Sequence, residues 1–195
     1  MARARSHHRP RDRSVECELK FRVKGPRNHT RLRVELRKRG ARLEGKYDEE
    51  NYRFDGPGRS TRQTTLRLRV LNGGPRGVLT AKGPAKFVGA VKVREETETE
   101  VKDAHATLDL LTELGFGVAF TYQKHRAMWT LDGVVTVTLD TLDCGWFVEL
   151  EGPLEVLPQQ ARSLGFDPAR ALKDSYSVLA RKHLAKAARA TAATS

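Results

Sequence analysis

Glu16, Glu18 and Lys20 stand at every second position of Val15-Glu16-Cys17-Glu18-Leu19-Lys20-Phe21-Arg22-Val23. Residues i and i+2 of a strand lie about 6.5–7 Å apart on one face, so these three side chains share one space. The pattern recurs as Arg67 and Arg69, as Arg94, Glu96 and Glu98, as Lys124 and Arg126, and as Glu149 and Glu151, with Lys82 and Asp140 added singly. Arginine offers planar two-point contacts to phosphate oxygens and lysine a point charge. The carboxylates beside them would repel a bare polyanion. That conflict disappears if a divalent cation sits on Glu16/Glu18 and Glu149/Glu151, and hard oxygen ligands of this kind suit Mg²⁺ or Mn²⁺. Bases on one wall and a metal on the other would clamp a short phosphate chain, as phosphoryl or nucleotidyl transfer requires.

The elements that must position these groups are mostly strands. Alternation marks 15–23, 43–54, 64–71, 77–82, 91–101, 118–131, 134–140 and 146–151. Asn72-Gly73-Gly74-Pro75 predicts a hairpin turn between the third and fourth, and Asp132-Gly133 a tight one later. Helices are expected over 28–39 with Gly40 as the stop, from Asp103 as a cap to Gly115, over 158–164, and over 168–188 with Asp167-Pro168 as the start signal. Strands, a helix, strands and then helices predict an α+β fold with an antiparallel sheet.

For any one strand, charges facing water are the ordinary explanation. Seven cations and seven acids, most of them in same-face groups, point instead to a closed or nearly closed barrel. Its interior is charged and its Val/Leu/Phe faces pack outward against helices.

The 195 residues carry 36 Lys+Arg against 24 Asp+Glu, a net charge of +12. Residues 1–13, with five Arg and one Asp, read as a disordered basic tail; 14–185 read as the folded domain, and 186–195 as a second disordered tail. No apolar run approaches the roughly 20 residues of a membrane span, and the first residues lack a hydrophobic stretch. Cys17 and Cys144 make no disulfide scaffold and no Cys/His spacing reads as a zinc site, so a reducing cytoplasm is expected. Cys17, His125, Trp129 and Trp146 alternate onto the faces opposite the charged ones and read as packing or surface residues.

The ordered motifs resemble the CYTH superfamily, the triphosphate tunnel metalloenzymes. They are Glu16-Cys17-Glu18-Leu19-Lys20, Leu66-Arg67-Leu68-Arg69, Leu79-Thr80-Ala81-Lys82-Gly83-Pro84, Arg94-Glu95-Glu96-Thr97-Glu98, Lys124-His125-Arg126, Asp140, Glu149-Leu150-Glu151 and Lys173-Asp174-Ser175-Tyr176. The resemblance implies an eight-stranded antiparallel β-tunnel with a charged interior, helices outside, and a triphosphate held with Mg²⁺ or Mn²⁺. It implies Glu16, Glu18, Asp140, Glu149 and Glu151 as metal ligands or their supports, with Glu96 and Glu98 serving the metal or orienting the bases. Lys20, Arg67, Arg69, Lys82, Arg94, Lys124, Arg126 and, by a looser match, Lys173 are implied to bind the triphosphate. Lys20, Lys82 and Arg126 are the implied catalytic cations.

The wording of the first strand is most similar to the class IV adenylate cyclase branch, which implies conversion of ATP to cyclic AMP and diphosphate. Hydrolysis of inorganic or thiamine triphosphate uses the same clamp and stays open beside it. A cyclase must also hold a nucleoside, for which segment 47–63 offers only Tyr47, Tyr52 and Phe54, aromatics more often used in packing. A third reading is a non-catalytic binder of polyphosphate or RNA, consistent with the pI of about 10.1. It predicts cations without matched carboxylates. The expected partner is a small-molecule triphosphate; neither a membrane nor a nucleic acid is expected, beyond weak contact of the latter with the basic tail. A homodimer is the assembly to look for.

Overall fold

The computed structural model describes residues 14–56 and 64–192; the expectations for 1–13 and 193–195 lie outside the described residues. Eight strands close into an antiparallel barrel, taken around the wall as β1 (Ser14–Val23), β9 (Gly145–Glu151), β8 (Val135–Leu142), β7 (Gly117–Leu131), β2 (Arg42–Asp55), β3 (Thr65–Leu71), β4 (Gly77–Lys82) and β6 (Val91–Val101). Pairing of β1 with β6 closes the ring, setting Glu16 opposite Arg94 and Glu18 opposite Lys92. A ninth strand that the sequence reading did not include, β5 (Lys86–Val88), adds to the start of β6. Among the described residues four α-helices lie outside: α1 (Pro26–Lys38), α2 (Ala104–Glu113), α3 (Leu157–Ser163) and α4 (Tyr176–Ala192). Among the described residues no helix is long and apolar enough to cross a membrane.

Alternation decides which side of the wall is dry. Leu19 and Phe21 of β1, Trp129 of β7, Val137 and Leu139 of β8, and Val148 and Leu150 of β9 point outward. They form one core with Leu32 and Leu36 of α1 and Leu157 and Ala161 of α3. Phe54, Leu68 and Val70 form a second under α2, joined by Tyr52. The turns are those expected. Asn72 and Gly73 take φ of 53° and 63°, and Asp132 and Gly133 φ of 53° and 69°, the left-handed pairs that hairpins of this twist need. Asp103 caps α2, accepting from the Ala106 N–H at 2.9 Å.

The C-terminal region departs from expectation. In place of one helix over 168–188, Pro168–Arg170 form a short 3₁₀ turn, capped by Asp167, and α4 starts only at Tyr176. Between them the chain is drawn out along the barrel, where the Leu172 N–H donates to the Lys20 carbonyl at 2.7 Å. The helix then runs on to Ala192, so 186–192, read as a disordered tail, is helical. Alanine at four of those seven positions favours that state.

Candidate active site

Even-numbered residues of β1 and odd-numbered residues of β9 face the barrel interior, which the strand registry fixes: Lys20 stands opposite Glu149 and Glu18 opposite Glu151. The central cavity is lined by Glu16, Glu18, Lys20, Lys82, Arg94 and Lys124, and by Arg67, Arg69, Arg126, Glu149 and Glu151. The sequence reading named all eleven.

On the β1/β9 wall, one carboxylate oxygen from each of Glu16, Glu18 and Glu151 lies within 4.8 Å of the others. The crowding has an electrostatic cost. Burial, then Glu149 and Glu16, push the Glu151 carboxyl up to about 8. Burial and then Glu149 raise Glu18 as well, although Lys92 reaches its Oε1 at 2.7 Å and Lys20 at 3.5 Å. A divalent cation among these oxygens would remove that repulsion, so the donor set fits Mg²⁺ or Mn²⁺. Glu16 differs: burial would raise it, but a hydrogen bond from Glu96 and the Lys82 ammonium carry it down to about 2. Glu96 goes the other way, to about 8, through burial and that same hydrogen bond with Glu16. Lys82 bridges the two carboxylates, at 3.1 Å from Glu16 Oε2 and 2.5 Å from Glu96 Oε1.

The remaining acids implied as ligands stand one step away from the trio. Glu149 accepts from Lys20 at 3.0 Å and from Arg126 at 2.9 Å. Asp140 is fully buried and takes both arms of the Arg126 guanidinium at 2.8 and 2.7 Å, with Tyr176 Oη on the same oxygen as the second arm at 2.7 Å. It does not line the cavity: its work is to fix Arg126, a bidentate pair that lysine could not reproduce. Glu98 is exposed and accepts from the Thr80 hydroxyl at 2.9 Å, so it orients the wall next to Arg67 and stands apart from the trio.

Lys173, expected among the triphosphate binders, does not line the cavity. Its side chain is exposed and its ammonium lies 5.4 Å from the Phe87 ring, because residues 171–175 do not join the helix; Ser175, Tyr176 and Ser177 face the cavity instead.

Three inward charged residues were not among those expected from the sequence. Glu49 of β2 is buried, 3.0 Å from Lys124 and 3.5 Å from Arg69, and those cations with Arg126 hold its carboxyl down at about 2 against the upward push of burial. Lys92 extends the Arg94/Glu96 row by one more alternate position. Arg53, in registry with Arg67, also lines the cavity. Glu49 sits inside the run Asp48-Glu49-Glu50, where consecutive charges hide the alternation; the signal was Glu49-Asn51-Arg53 at i, i+2 and i+4. Nearby, both ends of the Asn51 carboxamide and Arg67 Nε are buried with no hydrogen-bond partner, polar atoms that anionic oxygens or hydroxyls can satisfy. Burial, then the neighbouring Arg126, lower the Lys124 ammonium to about 8.

His125 is exposed and pairs with Asp48 at 2.5 Å on the outside of the barrel. Tyr52 and Phe54 pack under α2, while Cys144 is buried against α4. None of these faces the tunnel.

The chain is similar to several solved structures. It is 28% identical to the PH1819 protein of Pyrococcus horikoshii OT3, with a TM-score of 0.70, covering 86% of this chain and 99% of that one. For the PH1012 protein of the same organism the values are 25%, 0.70, 84% and 98%. HpAC1 of Hippeastrum, an adenylyl cyclase candidate with a dominant triphosphatase activity, shares the fold at 18% identity and a TM-score of 0.66, over 86% of this chain and 96% of that one. None of the curated proteins matches the chain. The CYTH domain family model matches residues 14–164, the stretch that holds the whole barrel and the acidic trio, and the chain belongs to the CYTH domain family.

Proposed function

We propose that this protein is a divalent-metal-dependent enzyme that cleaves a small linear triphosphate inside the tunnel, with hydrolysis as its reaction. The observation that carries this reading is the juxtaposition of the Glu16/Glu18/Glu151 trio with the wall of inward cations across one cavity. A plain polyanion binder has no use for three mutually repelling acids there.

Glu16, Glu18 and Glu151 would hold Mg²⁺ or Mn²⁺, which supplies charge neutralisation on the phosphate oxygens when bound. Lys20 and Arg126, each tied to Glu149, present charge fixed before substrate arrives, so little reorganisation is needed as negative charge moves toward the leaving phosphate. Lys82 does the same beside Glu16. Arg67, Arg69, Arg94 and Lys124 bind the remaining oxygens and keep the chain extended for in-line attack by water. Glu96, at about 8, holds a proton through the neutral range and shares it with Glu16.

Hydrolysis is favoured over the class IV cyclase reaction because it needs no seat for a nucleoside: among the described residues the aromatics lining the cavity are Tyr122 and Tyr176, and the stacking candidates of segment 47–63 contribute little. Cyclisation needs a nucleoside seated so that its 3′-hydroxyl faces the α-phosphorus. Tyr52 and Phe54, two of the three stacking candidates, are committed to the outer core under α2. Residues 57–63 contain no aromatic.

The test is product analysis with tripolyphosphate, thiamine triphosphate and ATP, under Mg²⁺ and Mn²⁺. Phosphate released from tripolyphosphate, abolished in Glu16→Gln and Glu18→Gln, is the expected outcome. Cyclic AMP and diphosphate from ATP would restore the cyclase reading. Binding that both variants retain, with no product from any substrate, would leave a non-catalytic binder.

A further inference from the structure

The β-strands fix where Lys20 and Lys124 start, but a four-carbon stem leaves each ammonium free to sweep several ångströms. One side chain from outside the barrel wall restrains both. The Tyr176 ring, at the first residue of α4, lies 4.3 Å from Lys20 Nζ and 5.1 Å from Lys124 Nζ, and only 6% of the residue is exposed. Its hydroxyl donates at 2.7 Å to Asp140 Oδ2, the oxygen that also receives Arg126 Nη2. Phe147 meets the ring edge-on at 5.3 Å and holds its plane. The segment before it is anchored to the same lysine twice. Leu172 N–H donates to the Lys20 carbonyl at 2.7 Å, and Lys20 Nζ donates to the Asp174 carbonyl at 3.4 Å.

We propose that Tyr176 is a positioning residue of the tunnel, its ring face setting the Lys20 and Lys124 ammoniums and its hydroxyl locking the Asp140–Arg126 pair, so that α4 is part of the substrate clamp. The ring's negative face attracts both cations at once. Its bulk bars them from bending toward the end of the barrel that α4 covers. Glu149 holds the Lys20 ammonium and Glu49 that of Lys124, at 3.0 Å each. Each ammonium therefore touches both a carboxylate and the ring. The ring and the hydroxyl act on different groups, so two substitutions separate them. The proposal rests on the triphosphatase reading for its kinetic consequence and on geometry alone for the rest.

The experiment compares Tyr176→Phe and Tyr176→Leu in the full chain, by steady-state kinetics on tripolyphosphate with Mn²⁺ and by NMR of the lysine ε-methylene groups. Tyr176→Phe keeps the ring: KM should stay within about threefold, with kcat lowered severalfold through the looser Arg126. Tyr176→Leu should raise KM about tenfold or more, the scale of losing two cation–ring contacts. Thermal unfolding of the two variants checks that the contrast is not one of folding. A KM equal in both variants, or unchanged in Tyr176→Leu, would overturn the proposal. The NMR arm needs no activity. Ring-current upfield shifts of the Lys20 and Lys124 ε-methylenes should persist in Tyr176→Phe and vanish in Tyr176→Leu. Their absence from the unsubstituted protein would refute the positioning claim even if tripolyphosphate proved not to be a substrate. Their presence without turnover would instead retire the triphosphatase reading and leave the geometry standing.

Discussion

Glu151→Gln removes one charge from the acidic trio while keeping size and hydrogen-bonding capacity, and its two consequences should run in opposite directions. At 4.8 Å, two like charges repel by roughly 3 kcal/mol at an effective dielectric of about 20. Glu151 is partly exposed, so about half of that, ~1–2 kcal/mol, is a reasonable net figure. Its folded carboxyl is raised to about 8 from an ordinary 4.5. In the unfolded chain it ionises near 4.5, so the folded state loses stability progressively between pH 4.5 and 8 and no further above. Without metal, Glu151→Gln should therefore match the unsubstituted protein below pH 4.5 and unfold at a higher temperature at pH 8.5, by roughly 2–8 °C at about 2–4 °C per kcal/mol. With Mn²⁺ the order should reverse, because the unsubstituted protein gains stability from the cation and the variant loses most of that gain. Differential scanning calorimetry at pH 4.5, 6.5 and 8.5, with and without Mn²⁺, reads both effects. A variant less stable than the parent at pH 8.5 without metal, or one that keeps the full Mn²⁺ increment, would refute the reasoning.

Three further outcomes follow from the same geometry. Protons compete with metal for the Glu151 site, so Mn²⁺ affinity measured by electron paramagnetic resonance should rise by up to about tenfold per pH unit between pH 6 and 8 and level off above. Glu49 is held down at about 2 by its cations, so it stabilises the fold above pH 4.5 and that contribution fades as pH falls toward 2. Glu49→Gln should cost about 1–3 kcal/mol in urea unfolding at pH 7 and progressively less in acid. Lys173→Ala should leave tripolyphosphate KM within about twofold in a steady-state assay, since that ammonium lies over Phe87 outside the cavity.

The barrel was legible because its interior is charged and its exterior apolar, which makes most of its strands alternate and lets motif order stand in for strand order. Arg67 with Arg69 and Lys124 with Arg126 announced one wall, and Glu149 with Glu151 the other. Glu49 was hidden because the residues on both sides of it are also acidic, and the outward charges of Asp48 and Glu50 blur a pattern that depends on contrast. Lys173 was misassigned for a related reason. The spacing predicts a helix through Ala171-Leu172-Lys173, where the chain instead hydrogen-bonds to β1, a tertiary contact that no local spacing encodes. The division among the acids was likewise beyond the sequence. Glu18 and Asp140 look equivalent on paper, yet one meets the trio and the other meets Arg126 and Tyr176.

The most direct measurement is anomalous diffraction from crystals soaked with Mn²⁺ and a non-hydrolysable triphosphate analogue. A manganese peak bounded by Glu16, Glu18 and Glu151, with phosphate oxygens reaching from it to Lys20, Lys82 and the Arg67/Arg69 wall, is the expected result. Manganese or analogue bound only on the outer surface, with the tunnel holding neither, would contradict it.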